Sequence, residues 1–230
     1  MTEWALPLVL RLERDDPPLR TDALEAAARA VLLLLTDGRP EWADAIAEWD
    51  AHRIRKVIRR ARGAHWRRAH DVDGLDVVHR GAQVYVCPPV PVDAWPPDLA
   101  RLQVGGTNLE PDEPAPPPSG APLILLSPHA QMSTGKAMAQ AGHAAQLGHR
   151  ALSAAARAAW QAAGFPLAVR DATPAQWAGA LDAGAVAVAD GGFTEVAPGT
   201  VTAAFVPPAV RRSPRARSVD GAAGDDPAGG

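Results

Sequence analysis

The stretch Arg59–Gly81 is repeated, without a gap, at Arg170–Gly192. Eight of the 23 positions are identical: Arg59/Arg170, Ala61/Ala172, Ala64/Ala175, Trp66/Trp177, Ala69/Ala180, Asp71/Asp182, Val77/Val188 and Gly81/Gly192. An internal repeat limits the fold more tightly than composition does, because both copies must bury the same pattern with the same unit. The flanks extend it. Pro7-Leu8-Val9-Leu10 matches Pro122-Leu123-Ile124-Leu125, and each is followed by a turn and an Ala-rich helix, Thr21–Leu35 and Thr134–Ala163. Past Gly81 the first copy skips eight residues, and Val84–Pro89 then matches Ala203–Pro208. Two unrelated α/β domains of similar composition remain the alternative to a duplication.

The second copy reads as four strands and two helices. Leu123–Leu126, Leu167–Arg170, Ala185–Ala189 and Val201–Val206 have the short apolar or period-two pattern of strands. Thr134 is expected to cap the long helix, and Thr173 a short one with Pro174 at its first position. The expected fold is therefore α/β: two tandem sandwich units, each a roughly four-stranded mixed sheet with flanking helices, docked as an intrachain pseudodimer. Expected boundaries are 1–89 for a degenerate copy, 90–120 for a Pro-rich connector, 121–209 for the second unit and 210–230 for a disordered tail. The connector carries Pro96-Pro97 and Pro116-Pro117-Pro118, and Leu99, Leu102 and Val104 in its middle are expected to pack on a domain. The tail holds too little apolar surface to offset its ordering entropy.

Charge narrows the function classes. With a net charge of −3, any nucleic-acid affinity must come from a local patch. Cys87 is the lone cysteine, which leaves no intrachain disulfide and fits a reducing, cytoplasmic setting, where it reads as a small core residue. Trp4–Leu10 lacks the basic lead of a signal peptide, and no run approaches the ~20 apolar residues of a membrane span. Nearly all the basic residues are Arg; the lysines are Lys56 and Lys136 alone.

Two constellations could carry chemistry. In Met132-Ser-Thr-Gly-Lys136-Ala-Met-Ala-Gln140-Ala-Gly-His143, the positions 136, 140 and 143 share one stripe at a helix start, where backbone N–H groups and the macrodipole favour an anion. The segment is not a phosphate loop of the NTPase kind, since Ala130 and Ala137 stand where Gly and Ser or Thr are required. Nor do His129, His143 and His149 have metal-ligand spacing. In Asp190-Gly-Gly-Phe-Thr194-Glu-Val-Ala-Pro198-Gly199-Thr200-Val-Thr202, a carboxylate ends a buried strand and needs a partner, and three threonines bring hydroxyls to the same sheet end. A solvated lysine, a satisfied histidine and an ordinary hairpin are the bland accounts of the same residues.

Together, G-K-x-x-A-Q-x-x-H-A and the later D-x-G-x-T-x-x-x-P-G-[ST]-x-T resemble the type 2 peptidyl-tRNA hydrolases of archaea and eukaryotes, over about 85 residues. The resemblance implies hydrolysis of the ester between a peptide and the terminal ribose of tRNA, with neither metal nor cofactor. It implies functional roles for Lys136, His143, Asp190, Thr194 and Thr202. Asp190 would orient or deprotonate water, Lys136 and the helix start would hold the oxyanion, and Gln140 and Thr200 would line the substrate site. That family's domain pairs as a homodimer, which a tandem chain would replace by a monomeric pseudodimer, or a weak homodimer of it. One departure is Ser127-Pro128-His129 after the first strand, where the family has Arg or Lys with an acidic residue close behind.

The first copy lacks this chemistry. Thr21, Ala28, His79 and Gln83 align with Lys136, His143, Asp190 and Thr202. It does carry Arg53, Arg55, Lys56, Arg59, Arg60, Arg62, Arg67 and Arg68, and Arg59 and Arg60 are expected to meet tRNA phosphates. A solvated strand edge is the other account of that run. A non-catalytic binder of tRNA or protein, and an esterase on a small acylated molecule, stay open as rival functions.

Overall fold

The computed structural model describes residues 2–192 and 194–208; the expected disordered tail lies outside the described residues. The first unit runs β1 (Trp4–Arg11), α1 (Arg20–Leu35), α2 (Pro40–Ala51), β2 (Lys56–Ala61), α3 (Gly63–Ala69), β3 (Leu75–His79) and β4 (Ala82–Val86). The connector holds β5 (Val90–Pro91) and α4 (Pro97–Ala100). The second unit runs β6 (Leu123–Leu126), α5 (Thr134–Ala151), α6 (Ala154–Ala162), β7 (Ala168–Asp171), α7 (Pro174–Asp182), β8 (Val186–Ala189) and β9 (Val201–Val206).

The sheets have one topology, β2-β1-β4-β3 and β7-β6-β9-β8, with β5 added beside the start of β1. In each, the first strand pairs in parallel with the second and antiparallel with the last, and the third pairs antiparallel with the last. The tandem α/β architecture expected from the repeat is present.

The strand register departs by one residue from the match of the two prolines. Val77 faces Val84 and Val188 faces Ala203; across the same strands, Leu10 faces Val84 and Leu126 faces Ala203. Leu10 is thus equivalent to Leu126 and Leu8 to Ile124, so the match anchored on Pro7 and Pro122 is one residue out. A one-residue slip exchanges the faces of a strand. In the observed register, Leu8, Leu10, Ile124 and Leu126 all join the core around the central helices, while Val9 and Leu125 point to the opposite faces. Those outer faces are covered by α3 and α7 through the paired Trp66 and Trp177.

The long Ala-rich helix also divides. α5 stops at Ala151, and Ser153 caps a separate α6 by accepting from the Ala156 N–H at 3.3 Å. The second unit therefore has three helices, not two. Ser133, rather than Thr134, caps α5, accepting from Lys136 N at 3.2 Å; the Thr134 hydroxyl instead receives the N–H of Leu109 at 2.9 Å. Thr173 and Gln176 form the reciprocal capping box of α7 behind Pro174.

α1 and α5 pack against each other between the sheets, and each also meets the edge strand of the opposite unit, α5 on β2 and α1 on β7. Small residues allow the close approach: Ala23, Ala27 and Ala30 on α1, and Ala137, Ala141 and Ala144 on α5, are buried. Gly142 is required there, since a Cβ at that position would lie 2.9 Å from Val31 Cγ2. At Gly148 a Cβ would fall 2.2 Å from the Phe205 ring, so α5 rests directly on β9. Burying a Phe of this kind contributes about 1.5–3 kcal/mol.

The connector is pinned along its length. Leu99 and Leu102 are buried, while Val104 is half exposed. Gln103 bridges to Arg60 at the edge of β2. Gly135 donates to Thr107 O, and Asp112 accepts from both the N–H and hydroxyl of Thr21. Among the described residues, no helix is long and apolar enough to cross a membrane.

Candidate functional site

Asp190 follows the last residue of β8, and its carboxylate is saturated on one side. Oδ2 accepts from Lys136 Nζ at 2.6 Å and from Gln140 Nε2 at 2.6 Å; Oδ1 accepts from the Gly192 N–H at 2.8 Å. Lys136 and Gln140 sit one turn apart on α5, which is why a four-residue spacing converges on one oxygen. Gln140 is oriented in turn by Thr202, the second residue of β9, whose hydroxyl donates to Oε1 at 2.6 Å. Thr194 Oγ1 lies 3.3 Å from Lys136 Nζ. Lys136, Gln140, Asp190, Thr194 and Thr202 are therefore one connected cluster at the start of α5. The side chains of Lys136 and Asp190 are only 10% and 8% exposed, while Thr194 is on the surface.

The loop that carries Asp190 and Thr194 is held by backbone bonds and by one latch. Asp190 N donates to Thr200 O, and Gly199 N donates to Asp190 O. Gly192 has φ +75° and sits beneath Pro198, where a Cβ would overlap the ring at 2.3 Å. Glu195 accepts from both the N–H and the hydroxyl of Ser133, each at 2.8 Å, with its own φ at 50°. The latch fastens the loop to the N-cap of α5, and neither residue stands out in the sequence as a site member. The Ser133-Thr134-Gly135-Lys136 order shows a cap, but nothing local pairs it with a glutamate 62 positions away. The anion expected at this helix start is thus supplied by the protein itself at Ser133, leaving Lys136 as the cation nearest Asp190.

Thr200 is not part of the cluster. Its hydroxyl donates to Ala197 O at 2.7 Å and is spent on the turn before β9. His143 is turned away as well, because three residues beyond Gln140 the helix stripe has rotated toward β2. His143 Nδ1 lies 3.4 Å from Lys56 Nζ. Desolvation, then Lys56, then Lys136 hold the pKa of His143 well below its ordinary value. Burial likewise pulls Lys56 well down, helped by Arg150 and opposed by Asp50. Lys56 donates to Gln146 Oε1 at 2.6 Å and to Ile54 O at 3.1 Å, and lies over the Trp49 ring. One lysine of the chain therefore sits on α5 and the other packs against it.

The basic run of the first unit does not form one face. The alternation of β2 sends neighbours to opposite sides. Arg59 is buried, donating to Ala100 O and Leu102 O and stacking on Trp95. Lys56 is buried against α5, and Arg53 and Arg55 lie near Glu3. Arg60 donates to Gly106 O at 2.8 Å and lines a groove with Arg62. Of the two arginines expected to meet phosphate, Arg60 alone remains near solvent. Cys87 is buried, and burial pushes its thiol up to about 12, so it is an inert core residue.

In the first unit, His79 occupies the place of Asp190 and meets a different set. Arg29 Nη1 lies 2.8 Å from His79 Nδ1, and because Arg has only donors, Nε2 carries the proton given to Glu25 Oε2 at 2.8 Å. Glu25 also accepts from Arg170 Nη1 at 2.7 Å and from the Val169 N–H at 3.2 Å, both in the second unit. Burial raises the pKa of Glu25, but His79, Arg170 and Val169 outweigh it and leave the carboxyl below its usual range. Asp22, Glu25 and His79 bring ligand atoms within 4.8 Å of one another. Arg80 and Arg170 already occupy the two carboxylates and Arg29 the free ring nitrogen, so the cluster is built for guanidinium rather than for a metal ion.

No protein-family model, no curated protein and no solved structure matches the chain.

Proposed function

We propose that the protein hydrolyses the ester of peptidyl-tRNA or N-acyl-aminoacyl-tRNA in the cytoplasm, releasing free tRNA and the peptide. The observation that supports this reading most is the contact of Lys136 and Gln140 with a single oxygen of Asp190, from two motifs whose order and spacing resemble those of the type 2 peptidyl-tRNA hydrolases. The fold adds a second support: Thr202, the last polar residue of the later motif, orients Gln140 within the same cluster.

The chemistry follows from the free positions. A carboxylate oxygen can take two donors, and Asp190 Oδ1 accepts one, from Gly192. A water on its remaining lone pair would give a proton to Asp190 as its oxygen attacks the ester carbonyl. Lys136 Nζ, with the Thr194 hydroxyl beside it, would stabilise the oxyanion that develops. Collapse of the tetrahedral adduct breaks the bond to the ribose oxygen, which leaves with the proton held by Asp190. Gln140 and Thr202 fix Asp190 and are positioning residues. His143, held neutral and facing Lys56, takes no part in proton transfer.

The test is release of free tRNA from a short N-acyl-aminoacyl-tRNA by the wild-type chain, Lys136→Ala and Asp190→Asn. Turnover lost in both folded variants supports the reading. A folded wild type with no turnover overturns it and leaves a binding protein.

A further inference from the structure

We infer that the first unit holds a site for a phosphodiester backbone, in a groove at the carboxyl ends of β1 and β2, and that an RNA seated there is led to the Lys136–Asp190 cluster. The inference rests on the proposed tRNA-ester reading and assigns the place where the body of the substrate is held.

In an α/β sheet, ligands bind outside the carboxyl ends of parallel strands. In the second unit that position, past the end of β6, holds the start of α5 and the Lys136 cluster. In the first unit the place of Asp190 is taken by the His79–Glu25 cluster, and a separate crevice past the ends of β1 and β2 forms a groove of about 700 Å³. Four guanidinium groups line it: Arg14 after β1, Arg60 and Arg62 at the end of β2, and Arg101 after α4, with His65 beside them. Glu13 and Glu110 also border it, but Glu13 is paired with Arg11 at 3.1 Å. Arg14 and Arg62 make no ion pair among the described residues, and Arg101 donates its Nε–H to Pro97 O at 3.0 Å and makes a long ion pair of 3.5 Å with Asp98. Leu12, Leu102 and Leu109 give an apolar floor, suited to ribose and base faces rather than to a small hydrated anion.

Continuity decides for an extended ligand. Leu109, a wall of the groove, donates its N–H to Thr134 Oγ1, in the same turn of α5 that carries Lys136. The connector therefore joins the groove to the cluster within one hydrogen bond. In a chain of net charge −3, four arginines on one open groove are a local positive field.

The experiment uses the full chain and a fluorescein-labelled RNA stem-loop with a single-stranded 3′ end. Kd is measured against KCl concentration for wild type, for Arg14→Glu/Arg62→Glu/Arg101→Glu, for Arg157→Glu as a charge control on α6, and for Lys136→Ala. Circular dichroism and the thermal midpoint confirm folding. We expect the triple variant to bind at least thirtyfold more weakly near 0.1 M salt, and its log Kd–log salt slope to fall by about two to three. Arg157→Glu should stay within about threefold of wild type, and Lys136→Ala should lose less affinity than the triple variant. The single changes Arg14→Ala and Arg62→Ala should each lower the slope by about one, which keeps the test valid if the triple variant unfolds. Binding unchanged by the groove substitutions, equal loss in Arg157→Glu, no RNA binding by wild type, or equal competition by inorganic phosphate or polyglutamate would each overturn the site. Turnover separates the two ideas. Normal binding of RNA in the groove without hydrolysis defeats the esterase reading alone, whereas hydrolysis that survives the triple variant with unchanged Kd defeats the groove alone.

Discussion

At one place in the shared topology, the end of the third strand, the two units carry opposite charge arrangements. The second unit puts a carboxylate, Asp190, against a lysine and an amide from α5. The first puts an imidazole, His79, against a glutamate and an arginine from α1. The second arrangement opens toward the surface through Thr194. The first reaches inward across the boundary, since Glu25 also binds Arg170 and the Val169 N–H of the other unit. The scaffold is the same, and the difference lies in whether the polar cluster faces solvent or its sister unit. Loop length separates them too: Arg80-Gly81 closes β3 to β4 in a tight turn, with Arg80 at φ 51°, while eleven residues join β8 to β9.

The sharpest way to break this comparison is to remove the cation of the outward cluster. Lys136→Ala is expected to lower turnover on an N-acyl-aminoacyl-tRNA about 10²–10³-fold, the usual cost of losing one oxyanion partner, and to lower stability as well, because the buried Asp190 carboxylate keeps only Gln140 and Gly192 as partners. If single-turnover rates fall less than tenfold, Lys136 is not the oxyanion partner. Conversely, Glu25→Ala should leave turnover chemistry intact but destabilise the fold by about 3–5 kcal/mol in urea unfolding, because His79 and Arg170 lose their buried partner. A loss below 1 kcal/mol would show that the inward cluster is not a lock.

Packing gives a smaller effect. Gly148→Ala should cost about 1–3 kcal/mol by overpacking against Phe205, and Gly142→Ala should instead loosen the α1–α5 contact at Val31. Amide exchange distinguishes them: faster exchange confined to the second unit for the first variant, and in both central helices for the second.

The smallest effect is a pH slope. The folded pKa of His143 lies well below that of the unfolded chain. Above about pH 6.5 both states are neutral there; below it the unfolded state binds the proton first, so stability falls as the solution is acidified. His143→Gln should flatten the loss of urea-unfolding stability between about pH 6.5 and 5. An unchanged slope would place the acid sensitivity elsewhere.

Much of this was legible in the sequence where the pattern is local. Trp66 and Trp177, each four residues into an equivalent stretch, mark the same covering helix, and Thr173-Pro174 states its helix start outright. The i, i+4 spacing of Lys136 and Gln140 put both on one stripe, and the structure closes that stripe on Asp190. What the sequence concealed are choices between near-equal neighbours and contacts at long range. Ser133 and Thr134 are equally good caps, and the tie is broken by Leu109, which claims the Thr134 hydroxyl. Pro7 and Pro122 looked equivalent because proline is conspicuous, yet the strand register shifts them by one residue. The basic run suggests one face by composition, but alternation along β2 divides it: Arg59 and Arg60 are adjacent in the chain and opposite in the sheet. Glu195 could not be found at all, since its partner lies far away and its left-handed backbone is set by the loop as a whole.

The pinned connector has a consequence for how such a molecule changes over generations. Two separate identical subunits would experience every substitution twice and would meet only as their concentration allows. Tied by residues 90–120, α1 and α5 meet at an effective concentration set by the tether, about millimolar or higher for a short linker, so docking survives dilution. Each half is then free to vary alone: one can trade its reactive groups for a lock, while the other keeps them, and neither choice has to be compatible with a mirror image of itself.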